Sequence, residues 1–135
     1  MDVEMVQGYT LIRDGVNRWR MPKFGKMRVD AVVYVSDALR SLLNEDQSLR
    51  QLANAAMLPG VVQPVIGMPD IHEGFGLPIG GVMAVESHGV ISAGAVGYDI
   101  NCGVRLLRTD LEASHLNKEM LYKLIQRIEH YVPTG

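Results

Sequence analysis

Two pairs of residues in this 135-residue chain are spaced to do chemistry: Asp70 with His72, and Asp99 with Cys102. Residues two apart in extended backbone project to the same face of a strand. Residues three apart meet across a turn or the first turn of a helix. Carboxylate, imidazole and thiolate are the usual protein ligands for metal ions. Two such groups in a glycine-bracketed turn make half of a metal site, and no more than half.

The surrounding composition points the same way. The stretches are Met68-Pro-Asp-Ile-His-Glu-Gly-Phe-Gly, Leu77-Pro-Ile-Gly-Gly-Val and Gly97-Tyr-Asp-Ile-Asn-Cys-Gly-Val-Arg105. Ten of the fourteen glycines lie between Gly60 and Gly103, and four of the six prolines between Pro59 and Pro78. Glycine permits positive φ and close backbone approach, whereas proline fixes φ and removes a donor. Ordering such a segment costs much chain entropy. Its concentration around Asp70, His72, Glu73, Asp99, Asn101 and Cys102 therefore implies that a site is being shaped.

Each of these residues also has a purely structural reading. Cys102 fits a small buried apolar side chain as well as a ligand. Asp99 fits an Asx-type cap of its own loop, Asp70 an acceptor for backbone donors around Pro69, and His72 a hydrogen-bonded structural histidine. Glu73 reads as solvated, and His88, His115 and His130 as surface residues. No phosphate loop, dinucleotide fingerprint or serine triad is present. On residue chemistry alone, the chain carries a metal-binding or catalytic pair of loops.

The elements that must position these loops follow from the pattern. A short strand is expected at Tyr9–Arg13, a turn at Asp14-Gly15, an extended piece at Trp19–Met21 and a strand over Met27–Val35. Ser36 is placed to cap a helix reaching about Asn44. Ser48-Leu-Arg-Gln51 matches a capping box for a second helix, carried on by Leu49, Leu52, Ala53, Ala56 and Met57 and ended by Pro59-Gly60. Val61–Met68 reads as a strand leading into the site. Val82–Val85 and Val90–Ser92 read as a hairpin, and Val104–Arg108 as a further strand. A last helix from Asn117 to about Tyr131 carries an apolar stripe of Met120, Leu121, Leu124, Ile125, Ile128 and Val132. The fold class expected is α+β, a mixed sheet of short strands with three helices, with residues 1–135 forming one domain or part of one.

Composition excludes several classes. Hydrophobic residues make up 47% and charged residues 21%, ordinary values for a globular protein. The net charge of −2 carries no overall nucleic-acid signature. Six of the thirteen basic residues (Arg13, Arg18, Arg20, Lys23, Lys26, Arg28) nevertheless share one window with a single acid, Asp14. That window reads either as a contact for phosphate or as a solvated, lysine-guarded sheet edge. One cysteine allows no intrachain disulfide, and no secretory or membrane-spanning run is visible, so the expected location is cytoplasmic.

The long segment Met68-Pro-Asp-Ile-His-Glu-Gly-Phe-Gly-Leu-Pro-Ile-Gly-Gly81 and Gly97-Tyr-Asp-Ile-Asn-Cys-Gly-Val-Arg105 resemble the signature segments of the RtcB family of RNA-splicing ligases. Ala56-Met-Leu-Pro-Gly60, Gly89-Val-Ile-Ser92 and Val132-Pro-Thr-Gly135 are similar to that family in the same order, and the resemblance runs from about Trp19 onward. It implies an enzyme of tRNA splicing and RNA repair that joins a 2′,3′-cyclic phosphate or 3′-phosphate to a 5′-hydroxyl with GTP and manganese. It further implies that Asp99 binds one manganese ion and that Cys102, as thiolate, bridges two. Asp70 would support the family's nucleophilic histidine, and His72 would help build the same loop. The guanylylated histidine and the other metal-binding histidines match none of the four present here, and no GTP-binding residue is assigned to this chain. The resemblance therefore implies an N-terminal portion of such a ligase, inactive by itself. Its expected partners are RNA, the rest of the ligase, and further copies of the same chain through self-association. The rival from another class is a non-catalytic RNA-binding or regulatory module using the Arg13–Arg28 window.

Overall fold

A computed structural model describes residues 2–97 and 106–133. The backbone divides into two compact units, 1–102 and 103–135, each described by itself. The first is a six-stranded sheet in sequence order: β1 (Val3–Val6), β2 (Tyr9–Arg13), β3 (Arg18–Met21), β4 (Ala31–Tyr34), β5 (Val61–His72) and β6 (Ile79–Val85). Neighbours are antiparallel except β4 and β5, which run parallel with Ala31 opposite Val65 and Val33 opposite Gly67. Two parallel neighbours need a crossover connection. Here it carries a 3₁₀ segment, Arg40–Asn44, and helix α1, Ser48–Ala55.

The core lies between one face of the sheet and α1. On β3, Trp19 and Met21 are buried while Arg18 and Arg20 alternate to the other face. Trp19, Met21, Leu11, Val33 and Val65 pack with Leu49, Leu52 and Ala53 of α1 in one apolar cluster. The Trp19 ring also meets the guanidinium of Arg40, 4.8 Å from its centroid.

The mixed sheet with its helices is the α+β fold expected from the sequence, and several elements differ in detail. The helix expected from Ser36 is only the 3₁₀ segment. Its N-cap, Leu39, makes no side-chain cap, and just Leu43 of its leucines is buried, too little apolar face to hold an α-helix. The capping box at Ser48 does not form. The Ser48 amide donates to Asp46 Oδ1 at 2.8 Å, and the Gln51 side chain is engaged elsewhere. The hairpin across residues 86–89 is also absent: β6 pairs with β5, and 90–92 are not in a strand. After Gly89, the chain is tied by Val90 N–H donating to the Pro59 carbonyl at 3.3 Å. β5 runs four residues past Met68, through both Pro64 and Pro69. Register shifts opposite β6, between Val62 and Ile66 and again between Gly67 and His72, absorb positions where proline offers no donor.

Beyond the sheet lies α2, the four residues Ala93–Val96. The second unit contains the expected helix as α3, Lys118–Tyr131, and Asn117 caps it, its side chain accepting the Met120 amide at 2.9 Å. None of its residues is buried, and the stripe Met120, Leu121, Leu124, Ile125 and Ile128 is 41–53% exposed. Of the strand expected at Val104–Arg108, residues 106–108 are not in a strand and the others lie outside the described residues.

Candidate active site

Asp70 and His72 sit on the last three residues of β5, so the strand itself presents them. Both are exposed. The His72 ring folds back until Nδ1 stands 2.7 Å from the Asp70 carbonyl oxygen. A carbonyl only accepts, so this contact places a proton on Nδ1, and in the neutral ring the lone pair then lies on Nε2. That is how proteins orient an imidazole for a metal or a transferable proton. The Asp70 carboxylate lies over β6 at Gly80, where φ is +73°. A methyl group there would stand 2.9 Å from Asp70 Oδ1 and 3.1 Å from the Ile71 backbone. Glycine at this position is what lets the carboxylate cross the neighbouring strand. Among the described residues that carboxylate accepts no backbone hydrogen bond, so it is not serving the turn donors around Pro69.

The loop after His72 is fixed from α1. The buried Gln51 grips Gly74 on both sides, its Oε1 accepting the Gly74 amide at 2.8 Å and its Nε2 donating to the Gly74 carbonyl at 2.9 Å. Asp46, just before the helix, accepts the Glu73 amide at 2.8 Å as well as that of Ser48. Glu73 is thus a tie to the helix end, since its Oε2 also accepts the Gln47 amide at 3.4 Å. A Cβ at Gly74 would collide with the Leu77 carbonyl oxygen. The reach of Gln51 to Gly74 has no signal in the sequence, because Gln51 fits the capping-box pattern equally well. Asp46 had one: an Asp two residues before a helical amide is a common cap.

Burial pushes the Asp46 carboxyl up. The hydrogen bonds from Ser48 and from the Glu73 amide, with the charge of nearby His72, outweigh this and hold it below the usual carboxylate range. A carboxyl with a lowered native pKa stabilises the fold above its unfolded value, about 3.9, and loses that contribution as pH falls through the native one. Asp46→Asn is therefore expected to flatten the decline of stability below about pH 4. Urea midpoints measured across that range give the comparison, and parallel curves for the two proteins would refute it.

A cleft of about 420 Å³ opens beside this loop, lined by Glu73, Gly74, Phe75, Gly80, Gly94 and Gly97, among others. It joins the first glycine-rich stretch to the chain that enters the second. Asp99, Asn101 and Cys102 follow directly after Gly97 and lie outside the described residues. Among the described residues, no group of three or more His, Cys, Asp or Glu side chains gathers as a metal centre. His88 lies in a turn, and it, His115 and His130 are exposed, as expected of surface residues.

Comparison with known proteins gives this arrangement a context. The family model described as tRNA-splicing ligase RtcB matches residues 51–135, a span that begins at Gln51 and includes the whole cleft. A tRNA-splicing ligase RtcB from Thermococcus kodakarensis is 49% identical over 120 residues, covering 87% of this chain and 25% of the relative. Its counterpart in Aeropyrum pernix is 48% identical over 122 residues, again 87% of this chain and 25% of the relative. That from Nanoarchaeum equitans is 47% identical over 118 residues, with 24% of the relative covered. The chain spans about a quarter of the length of these relatives. With a glycine-walled cleft, an oriented imidazole and a signature matched across more than half its length, the chain belongs to the tRNA-splicing ligase RtcB family.

Proposed function

We propose that this chain contributes one wall of the active site of a GTP- and manganese-dependent RNA ligase, which joins 2′,3′-cyclic phosphate or 3′-phosphate ends to 5′-hydroxyl ends. The observation that carries the reading is the cleft between Gly74 and Gly97, inside the span matched by the family model. Asp99 and Cys102 are the manganese ligands in this reading. Their oxygen and sulfur donors suit a divalent cation whose remaining shell is nitrogen and oxygen. Manganese would supply neutralisation of charge on the phosphate oxygens during transfer. Asp70 and His72 act as positioning residues. The carboxylate lying over Gly80 supports the guanylylated histidine, and the imidazole shapes the loop.

The test is end joining by the full-length polypeptide that carries this sequence, given GTP, manganese and RNA halves with a cyclic phosphate and a 5′-hydroxyl. Joined product supports the reading, and its absence with properly folded enzyme refutes it. The 135-residue chain by itself is expected not to form the guanylylated intermediate, because none of its histidines matches the family's nucleophile. Incubation with labelled GTP and manganese should leave it unlabelled, and a stable label on the chain would contradict this. The exposed stripe of α3 is the surface through which the chain is expected to self-associate. Sedimentation should show oligomers growing with concentration, whereas a monomer at every concentration would remove this role from the stripe. No helix among the described residues is long and apolar enough to cross a membrane.

A further inference from the structure

The basic window forms no sheet edge. β3 is the third of six strands, and Arg18 and Arg20 stand on the face opposite the α1-packed core. With Lys23, Arg28, Gln63 and Pro64 they line a shallow groove of about 450 Å³. Val32, which pairs with Arg20 across the strands, lies in its floor and is 1% exposed. Two carboxylates answer part of this charge. Arg18 pairs with Asp14, and Arg20 reaches Asp14 at 3.6 Å and Asp30 at 3.3 Å. Asp30 also accepts the Lys23 backbone amide at 2.8 Å. The Lys23 ammonium and the Arg28 guanidinium have no carboxylate partner among the described residues. Arg28 is held instead by the Met57 carbonyl, 3.3 Å from its Nε. Four cations against two carboxylates leave an excess of two positive charges, in a chain whose net charge is −2.

Two further features lie at or beside the groove. Gln63, a non-glycine residue, holds φ at +62°, a costly conformation that places a polar side chain on the groove wall. Tyr34, paired with Arg18, is 38% exposed and offers a ring on the same face. Cations along a groove with an aromatic ring beside them are what single-stranded nucleic acid requires, the cations for phosphates and the ring for a base.

We propose that this groove holds the phosphate backbone of single-stranded RNA at a distance from the end-joining cleft. Gln63 and Asp70 are seven residues apart on β5, on the order of 20 Å at the usual strand rise. The groove therefore contacts the body of the RNA, several nucleotides from the reacting end. This rests on the ligase reading for the choice of RNA, and its test is independent of ligation.

The full 135-residue chain is titrated with a short, unstructured, labelled single-stranded RNA, without GTP or manganese, between about 50 and 200 mM salt. The double variant Lys23→Gln/Arg28→Gln is expected to lower the salt slope by about 1.4, or 0.7 per lost phosphate contact, and to weaken binding about 25-fold near 0.1 M salt. Arg28→Lys, which keeps the charge but not the guanidinium bond to Met57, should retain most of the affinity. Lys118→Gln/Arg127→Gln on α3 removes the same charge elsewhere and should leave binding unchanged. An unaltered slope in the Lys23/Arg28 variant, or an equal loss in the α3 variant, overturns the proposal. Cys102→Ala, expected to stop ligation, should bind this RNA as the parent does. Failure of the groove and failure of the ligase reading are thus seen separately.

Discussion

Cys102→Ala and Asp99→Ala in the full-length ligase are each expected to reduce RNA joining by at least about a thousandfold. A cation held at a transferring phosphate supplies several kcal/mol of charge stabilisation, and about 4 kcal/mol corresponds to three decades in rate. Removing the thiolate proposed to hold manganese should cost as much as removing the carboxylate, because neither alanine offers a donor. Cys102→Ser is the informative companion. A hydroxyl is a far poorer ligand than a thiolate at neutral pH, so the serine variant should fall with the alanine variant and not with the parent. Each variant is measured for joined product per enzyme, with manganese content determined in parallel. Activity within tenfold of the parent for either alanine variant would remove that residue from the metal centre.

Gln51→Leu is expected to destabilise the chain by about 2–4 kcal/mol. The substitution nearly conserves volume, but it leaves both the amide and the carbonyl of Gly74 without their partner, at about 1–3 kcal/mol for each unsatisfied group. In urea the midpoint should fall while the slope stays constant, since the surface exposed on unfolding is unchanged. A second consequence is local. Gly74 anchors the loop that follows His72, so loss of the grip should also lower joining by the full-length enzyme under conditions where the variant remains folded. An unchanged urea midpoint would show that the Gln51–Gly74 pair contributes nothing net, and would withdraw α1 from any part in holding the site.

Elements governed by local pattern were legible before any coordinates. The spacing of Met120, Leu121 and Leu124 marks α3 to within a residue, and the extended piece at Trp19–Met21 marks most of β3. Where tertiary partners decide, the pattern misleads. Val82–Val85 looks ready to pair with the next apolar run, yet its partner is β5, with Val82 opposite Ile66 and Val85 opposite Val61. Pro69 reads as the end of a strand that in fact continues to His72, because a register shift opposite it needs no donor. Gln51 resembles a helix cap and serves instead as a clamp on a distant glycine. The chemistry of the candidate site was carried by residue types and spacing, since Asp70, His72 and the glycines around them determine what can approach what. Asp99 and Cys102 lie outside the described residues, and the roles proposed for them rest on the resemblance of their segment to the family and on donor chemistry.

The single parallel pairing in the sheet bears on how the site is assembled in time. β1 to β4 form a meander whose partners are close in sequence, so closing it costs little loop entropy. β5 can join β4 only after the crossover containing α1 has turned back, and non-local pairings of this kind are the slow ones. The meander is therefore expected to form early, as a template on which the end of β5 is placed later. Asp70 and His72 are then expected to be placed after the meander, on a scaffold already in being.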